Sequence, residues 1–135
     1  MRVTLVCPAC EAVLNPREKL VFVVEHGGRR AIMLLSPFPG DYTSICEPTF
    51  AAQVKPGDQV TFFCPTCHAD LSAPGSDRFA EILQLREGRE PLRARFSQVF
   101  GEHATFTING EEIRAYGEHA ELFRNLNFSE TDSWW

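Results

Sequence analysis

The sequence predicts an α+β fold dominated by β-structure, and three observations carry that expectation. Short runs of β-branched, aliphatic and aromatic residues recur between turn signals, as at residues 20–24, 31–35 and 59–63. Asn109-Gly110 separates two more such runs and supplies the positive φ angles that a type I′ hairpin turn requires. Two Cys-Pro-x-Cys turns, Cys7-Pro8-Ala9-Cys10 and Cys64-Pro65-Thr66-Cys67, offer four thiolates in two pairs, the ligand set of a tetrahedral zinc ion. The expected architecture is a zinc-clamped antiparallel sheet over residues 1–73, then a β-meander with a short C-terminal helix over residues 78–128. Residues 129–135 are expected to form a mobile tail, unless Trp134 and Trp135 dock on the domain or on a partner.

Taken in order, residues 3–6 read as a short strand feeding the first cysteine turn. Residues 20–24 and 31–35 flank His26-Gly27-Gly28-Arg29 and are expected to pair as a hairpin. Two prolines and a glycine forbid regular structure over residues 36–41. A turn at Pro56-Gly57-Asp58 launches the strand that delivers Cys64. Residues 72–77, with Pro74 and Gly75, mark a boundary. Residues 79–86 fit neither period cleanly, and strand is favoured because Glu87-Gly88-Arg89 turns into the alternating segment 92–97. Residues 105–108 and 111–116 form the hairpin around Asn109-Gly110, and a helix is expected over about residues 118–125.

Composition bounds the function. The 135 residues suffice for one domain with a real core, or for two very small ones. An apolar share of 44% with eleven Phe is a globular composition, not a disordered one. The net charge of −5 leaves no basic run to neutralise phosphates, so nucleic-acid binding is disfavoured. The N-terminal apolar stretch is too short for a signal peptide, and no apolar run reaches the length of a membrane span, so a cytoplasmic protein without a membrane role is expected. Five cysteines are an odd number, and four in CxxC pairs fit metal better than a disulfide framework.

The segments Val6-Cys7-Pro8-Ala9-Cys10 and Phe63-Cys64-Pro65-Thr66-Cys67 resemble the knuckles of zinc ribbons and, through them, of rubredoxin-like proteins. The resemblance covers the cysteines and their flanking strands and does not reach the C-terminal half. It implies strands that lead directly into knuckles around a structural metal. Such knuckles commonly carry glycine after the second cysteine, where Glu11 and His68 stand here, a departure that counts against iron redox chemistry. A thioredoxin-like redox pair is disfavoured because Pro16 soon interrupts any helix after Cys10. Four thiolates also close the coordination shell, leaving no open position for catalysis. The fifth cysteine, Cys46, is expected to be a small buried residue.

A second feature is a repeat: Phe100-Gly101-Glu102-His103-Ala104 recurs as Tyr116-Gly117-Glu118-His119-Ala120. The copies bracket the Asn109-Gly110 hairpin, so its open end should bring them together. Glu102, His103, Glu118 and His119 could then form a second metal site or an acid–base pair, against the plainer reading of two turns. His26 and His68 are read as exposed loop residues. Arg93 and Arg95 could grip a carboxylate or phosphate if they share a face, although a solvated strand face is the plainer expectation. The favoured function is a non-catalytic interaction or accessory module, stabilised by structural zinc and acting with a protein partner or as a homodimer. The alternatives are an enzyme or ligand binder built on the Glu-His segments, or a weak nucleic-acid binder.

Overall fold

The computed structural model describes residues 3–38, 40–110 and 112–120. Within them, ten strands and one short helix follow in the order β1 (Thr4–Val6), β2 (Leu20–His26), β3 (Arg29–Leu35), β4 (Ser44–Cys46), α1 (Pro48–Ala51), β5 (Thr61–Phe63), β6 (Ser72–Ala73), β7 (Ser76–Arg86), β8 (Arg89–Ser97), β9 (Thr105–Asn109) and β10 (Glu112–Tyr116). They form two antiparallel sheets. In the first, β1, β7, β8, β9 and β10 lie side by side, with β6 sharing the β1 edge of β7. The second runs β4-β3-β2-β5.

The hairpins form where turn chemistry and alternation agree. β2 pairs with β3 along its whole length, and Gly27 and Gly28 between them both take positive φ. Leu20, Phe22 and Val24 of β2 are buried while Val21 and Val23 are half-exposed, the period-two signature of a sheet with one face on the core. Strands β7 to β10 run as a meander, with β9 and β10 joined at Asn109-Gly110. Residues 105–108 of β9 are all buried, because the larger sheet is covered on both faces. One face meets the smaller sheet. On the other, Phe79, Phe106 and Ile108 gather in a second apolar cluster.

Each cysteine knuckle sits where the chain passes from one sheet to the other. The first follows β1 of the larger sheet and leads towards β2 of the smaller. The second follows β5 of the smaller sheet and leads to β6 of the larger. The main core fills the space between, and it takes Leu5, Leu14, Phe22 and Phe62 from one side of residues 73–78 and Ala80, Ile82 and Ala94 from the other. Phe96 packs its ring 5.6 Å from Phe22 and 5.1 Å from Phe62, edge-on to the latter. Two buried amides tie the crossings. Asn15 Oδ1 accepts the Leu5 amide at 2.9 Å, and Gln98 Oε1 accepts the Phe62 amide at 2.9 Å, each two residues before the first cysteine of its knuckle. Gln98 Nε2 also donates to the Asp77 carbonyl at 2.8 Å, so one side chain links the two sheets.

Two expectations are corrected. His26 ends β2 and is not a partnerless loop residue: its Nδ1 lies 3.1 Å from the Gln59 carbonyl and its Nε2 3.4 Å from Asp58. Arg95 is not on a solvated face but is fully buried. Its Nε donates to Glu81 at 2.9 Å, and Arg93 lies 4.0 Å from the same carboxylate. The arginine pair grips the protein's own glutamate. Helix α1, entered through Pro48 in the first turn, was not read from the sequence. The helix expected at 118–125 falls mostly outside the described residues; of its described start, 118–119 form a turn and Ala120 is 3₁₀-helical, its amide donating to the Gly117 carbonyl. The terminal tryptophans also lie outside them. No helix among the described residues is long and apolar enough to cross a membrane.

Candidate metal centre

The two knuckles match residue for residue. In the first, the Glu11 amide donates to the Cys7 carbonyl and the Cys7 amide to the Ala12 carbonyl. In the second, the His68 amide donates to Cys64 and the Cys64 amide to Ala69. Closing this turn requires a left-handed residue after the second cysteine, and Glu11 and His68 both take φ 63°. The missing glycines therefore leave the knuckle backbone unchanged, and the sequence argument against iron loses its geometric basis.

The four sulfurs converge. Their ligand atoms all lie within 4.8 Å of one another, with Cys7 and Cys64 buried and Cys10 and Cys67 exposed. Cys7 Sγ lies 3.8 Å from Cys67 Sγ, and Cys10 Sγ lies 3.7 Å from Cys64 Sγ. A regular tetrahedron with Zn–S bonds of about 2.3 Å has edges of about 3.8 Å, so both spacings across the knuckles fit one ion. They are far too long for a disulfide, whose sulfurs sit about 2.05 Å apart. The cluster is positioned for metal binding and its geometry is compatible with zinc.

Electrostatics point the same way. Backbone amides aim at the sulfurs, from Ala9 to Cys7 at 3.3 Å and from Thr66 to Cys64 at 3.4 Å, as thiolates favour. Burial pushes the Cys7 thiol up to about 12, against hydrogen bonds from the Cys10 and Ala9 amides. Burial also works to raise Cys64, but the Cys67 and Thr66 amides and the neighbouring thiols outweigh it and bring it down to about 7. At Cys10 the Ala12 amide, and more weakly the Cys7 thiol, act to lower the thiol, but desolvation and its bonds to Cys67 and Cys64 together outweigh them and raise it. Four thiols this close cannot all ionise on their own, since each thiolate opposes the next. A divalent cation removes that opposition. The fifth cysteine stands apart: Cys46 faces Met33 across β4 and β3, packs against the core, and is raised chiefly by burial.

The Glu-His segments also meet in space, but differently. His103, Glu118 and His119 lie within ligand distance of one another. Glu102 does not join them; its carboxylate pairs with Arg78 and accepts from Ser97 Oγ at 2.7 Å. The three that meet bond to each other. His103 Nδ1 contacts Glu118 Oε1 at 3.0 Å, and His119 Nδ1 accepts the His103 backbone amide at 2.9 Å. Tyr42 stacks on the His103 ring, with centroids 4.4 Å apart, and its hydroxyl lies 2.7 Å from Thr105 Oγ1. No local pattern points to Tyr42, 61 positions from His103, nor to the paired roles of Asn15 and Gln98. The chain matches no protein-family model, no curated protein and no solved structure, so its chemistry is read from its own residues.

Proposed function

We propose that this is a non-catalytic, zinc-stapled interaction module, with Cys7, Cys10, Cys64 and Cys67 holding one structural Zn²⁺. The observation that supports this reading is the pair of 3.7 and 3.8 Å sulfur spacings, each across the two knuckles. Zinc is preferred to ferrous iron by the general affinity order of such sites. A reducing compartment, the cytoplasm, keeps the thiolates available to it. Four thiolates fill the shell, so the ion holds the two sheet crossings together and performs no reaction.

The interaction surface in this reading is the outward face of the smaller sheet. Ile32 and Ile45 are each 52% exposed there, and Leu34 lies between them in register opposite Ile45. β4 is also an edge strand, with backbone groups open to pairing. Such a face suits a protein partner, and a second copy of the chain is the first to test. An enzyme built on the Glu-His segments is less well supported, because Glu102 is engaged elsewhere and the other three groups bond each other.

Metal analysis of the purified protein should give one zinc per chain, and little in Cys64→Ser. Well-folded protein with no metal would sink the proposal, and iron in place of zinc would correct its identity. Sedimentation of the Ile32→Lys, Ile45→Lys double variant should show loss of self-association with zinc retained. A wild-type chain that is monomeric throughout would leave the face to a different protein.

A further inference from the structure

Away from the knuckles, the two sheets do not close completely. Across the inward face of the larger sheet, Ile82, Ala94 and Thr107 stand in one row of paired positions. Two small side chains in that row leave room beneath Met33 of the smaller sheet. The result is a cavity of about 240 Å³, with Leu20, Met33, Ile82, Ala94 and Phe96 among its walls. Its polar members, exposed Asp41 and partly buried Tyr42, Glu102 and His103, form a mouth of different character.

Size and charge together define an occupant. An apolar cavity of about 150 Å³ accepts a benzene ring, whereas drug-sized ligands need roughly 300 Å³ or more. This volume therefore suits one substituted ring or a short branched chain. Among the described residues, no Lys or Arg lines the space, while Asp41 and Glu102 do. Glu102 is already paired with Arg78, whereas Asp41 feels Lys19 only at longer range, which leaves Asp41 as the carboxylate for a ligand head group. Phe38, 54% exposed, adds an aromatic surface to the same rim, and aromatic faces attract cations.

We propose that this cavity is a binding site for a small primary amine, with an apolar body of about one ring inside and its ammonium at Asp41. Asp41 Oδ1 accepts from the Thr43 hydroxyl at 2.7 Å and from the Thr43 amide at 3.1 Å. Those bonds, hydroxyl first, hold its carboxyl below the usual range and keep it charged. The site is independent of the metal centre, and it does not need the Glu-His cluster to act on anything.

The test titrates the zinc-loaded full-length chain with 2-phenylethylamine, 2-phenylethanol and phenylacetate, three probes of similar size and different charge, by amide NMR. The amine should shift the signals of Ala94, Thr105 and Thr107 saturably and bind about tenfold more tightly than phenylacetate, as one nearby screened charge predicts. Asp41→Asn lies on an exposed loop, keeps the acceptor of the Thr43 bonds, and should shrink the preference to about threefold or less. Shifts that do not localise to these walls would overturn the site. Phenylacetate binding as tightly as the amine, or a preference unchanged in Asp41→Asn, would overturn the assignment of ligand class.

Discussion

The protein contains two duplicated segments, and they make opposite use of being brought together. The knuckles at Cys7–Cys10 and Cys64–Cys67 converge with four sulfurs facing one another and only soft, weak hydrogen bonds between them. The Gly-Glu-His-Ala segments converge as well, yet Glu118 and both histidines already bond within the cluster and Glu102 bonds Arg78 and Ser97. Duplication predicts proximity in both cases. It predicts a metal site only where the donor atoms have nothing better to bond than a cation.

The largest expected effect comes from emptying the cysteine centre. A ligand held at 1,000 times its Kd stabilises the folded state by about 4 kcal/mol. Chelation should therefore lower the melting temperature by roughly 15 °C for a chain of this size. Because each knuckle joins one sheet to the other around a shared core, calorimetry should show one transition moving as a unit. Loss of the smaller sheet alone, ahead of β7 to β10, would mean that the metal serves only the N-terminal half.

The histidine cluster should respond to sterics before chemistry. Gly117 has φ +98°, and a Cβ there would run into the His103 carbonyl and the Tyr42 hydroxyl. Gly117→Ala combines backbone strain with overpacking and should cost about 3 kcal/mol in denaturant unfolding. Removing both imidazoles is milder. The exposed His103–Glu118 pair contributes at most about 1 kcal/mol, and the His119 bond to the His103 amide about as much again. His103→Ala with His119→Ala should thus lose about 2 kcal/mol with zinc content unchanged at one per chain. A drop from two metals to one would reverse the comparison and make the second duplication a metal site.

What the sequence made legible was local. The β-branched and aromatic run at 20–24, the Asn109-Gly110 turn and the Cys-Pro-x-Cys spacing each depend on neighbours a few positions apart, and each can be read along the chain. The partition into two sheets could not be read that way. It depends on which strand pairs with which, on β1 and β6 sharing one edge of β7, and on Gln98 reaching the Phe62 amide 36 positions away. The repeat places Glu102 with the histidines because it is local, whereas Arg78, which pairs with Glu102, reaches it from 24 positions away through the β7–β8 register. The cavity is equally invisible in the sequence, since Ala94 opposite Thr107 is a consequence of register.

The smallest predicted effect concerns the residues that made the knuckles look atypical. Glu11 and His68 hold φ 63° with a β-carbon present, a conformation that costs an ordinary residue about 1 kcal/mol or more. Glycine adopts it freely but loses about 0.5 kcal/mol or more through the greater freedom of its unfolded chain. The steric gain should win by a narrow margin. Both side chains are exposed, so little packing is lost on truncation. Glu11→Gly with His68→Gly should therefore stabilise the metal-loaded protein by about 1 kcal/mol, visible as a rise of a few degrees in melting temperature. The single variants should each contribute about half, because the two knuckles have matching hydrogen bonds and the same φ. A loss of stability in either would mean that its side chain does something at the metal that the backbone match between the knuckles does not reveal.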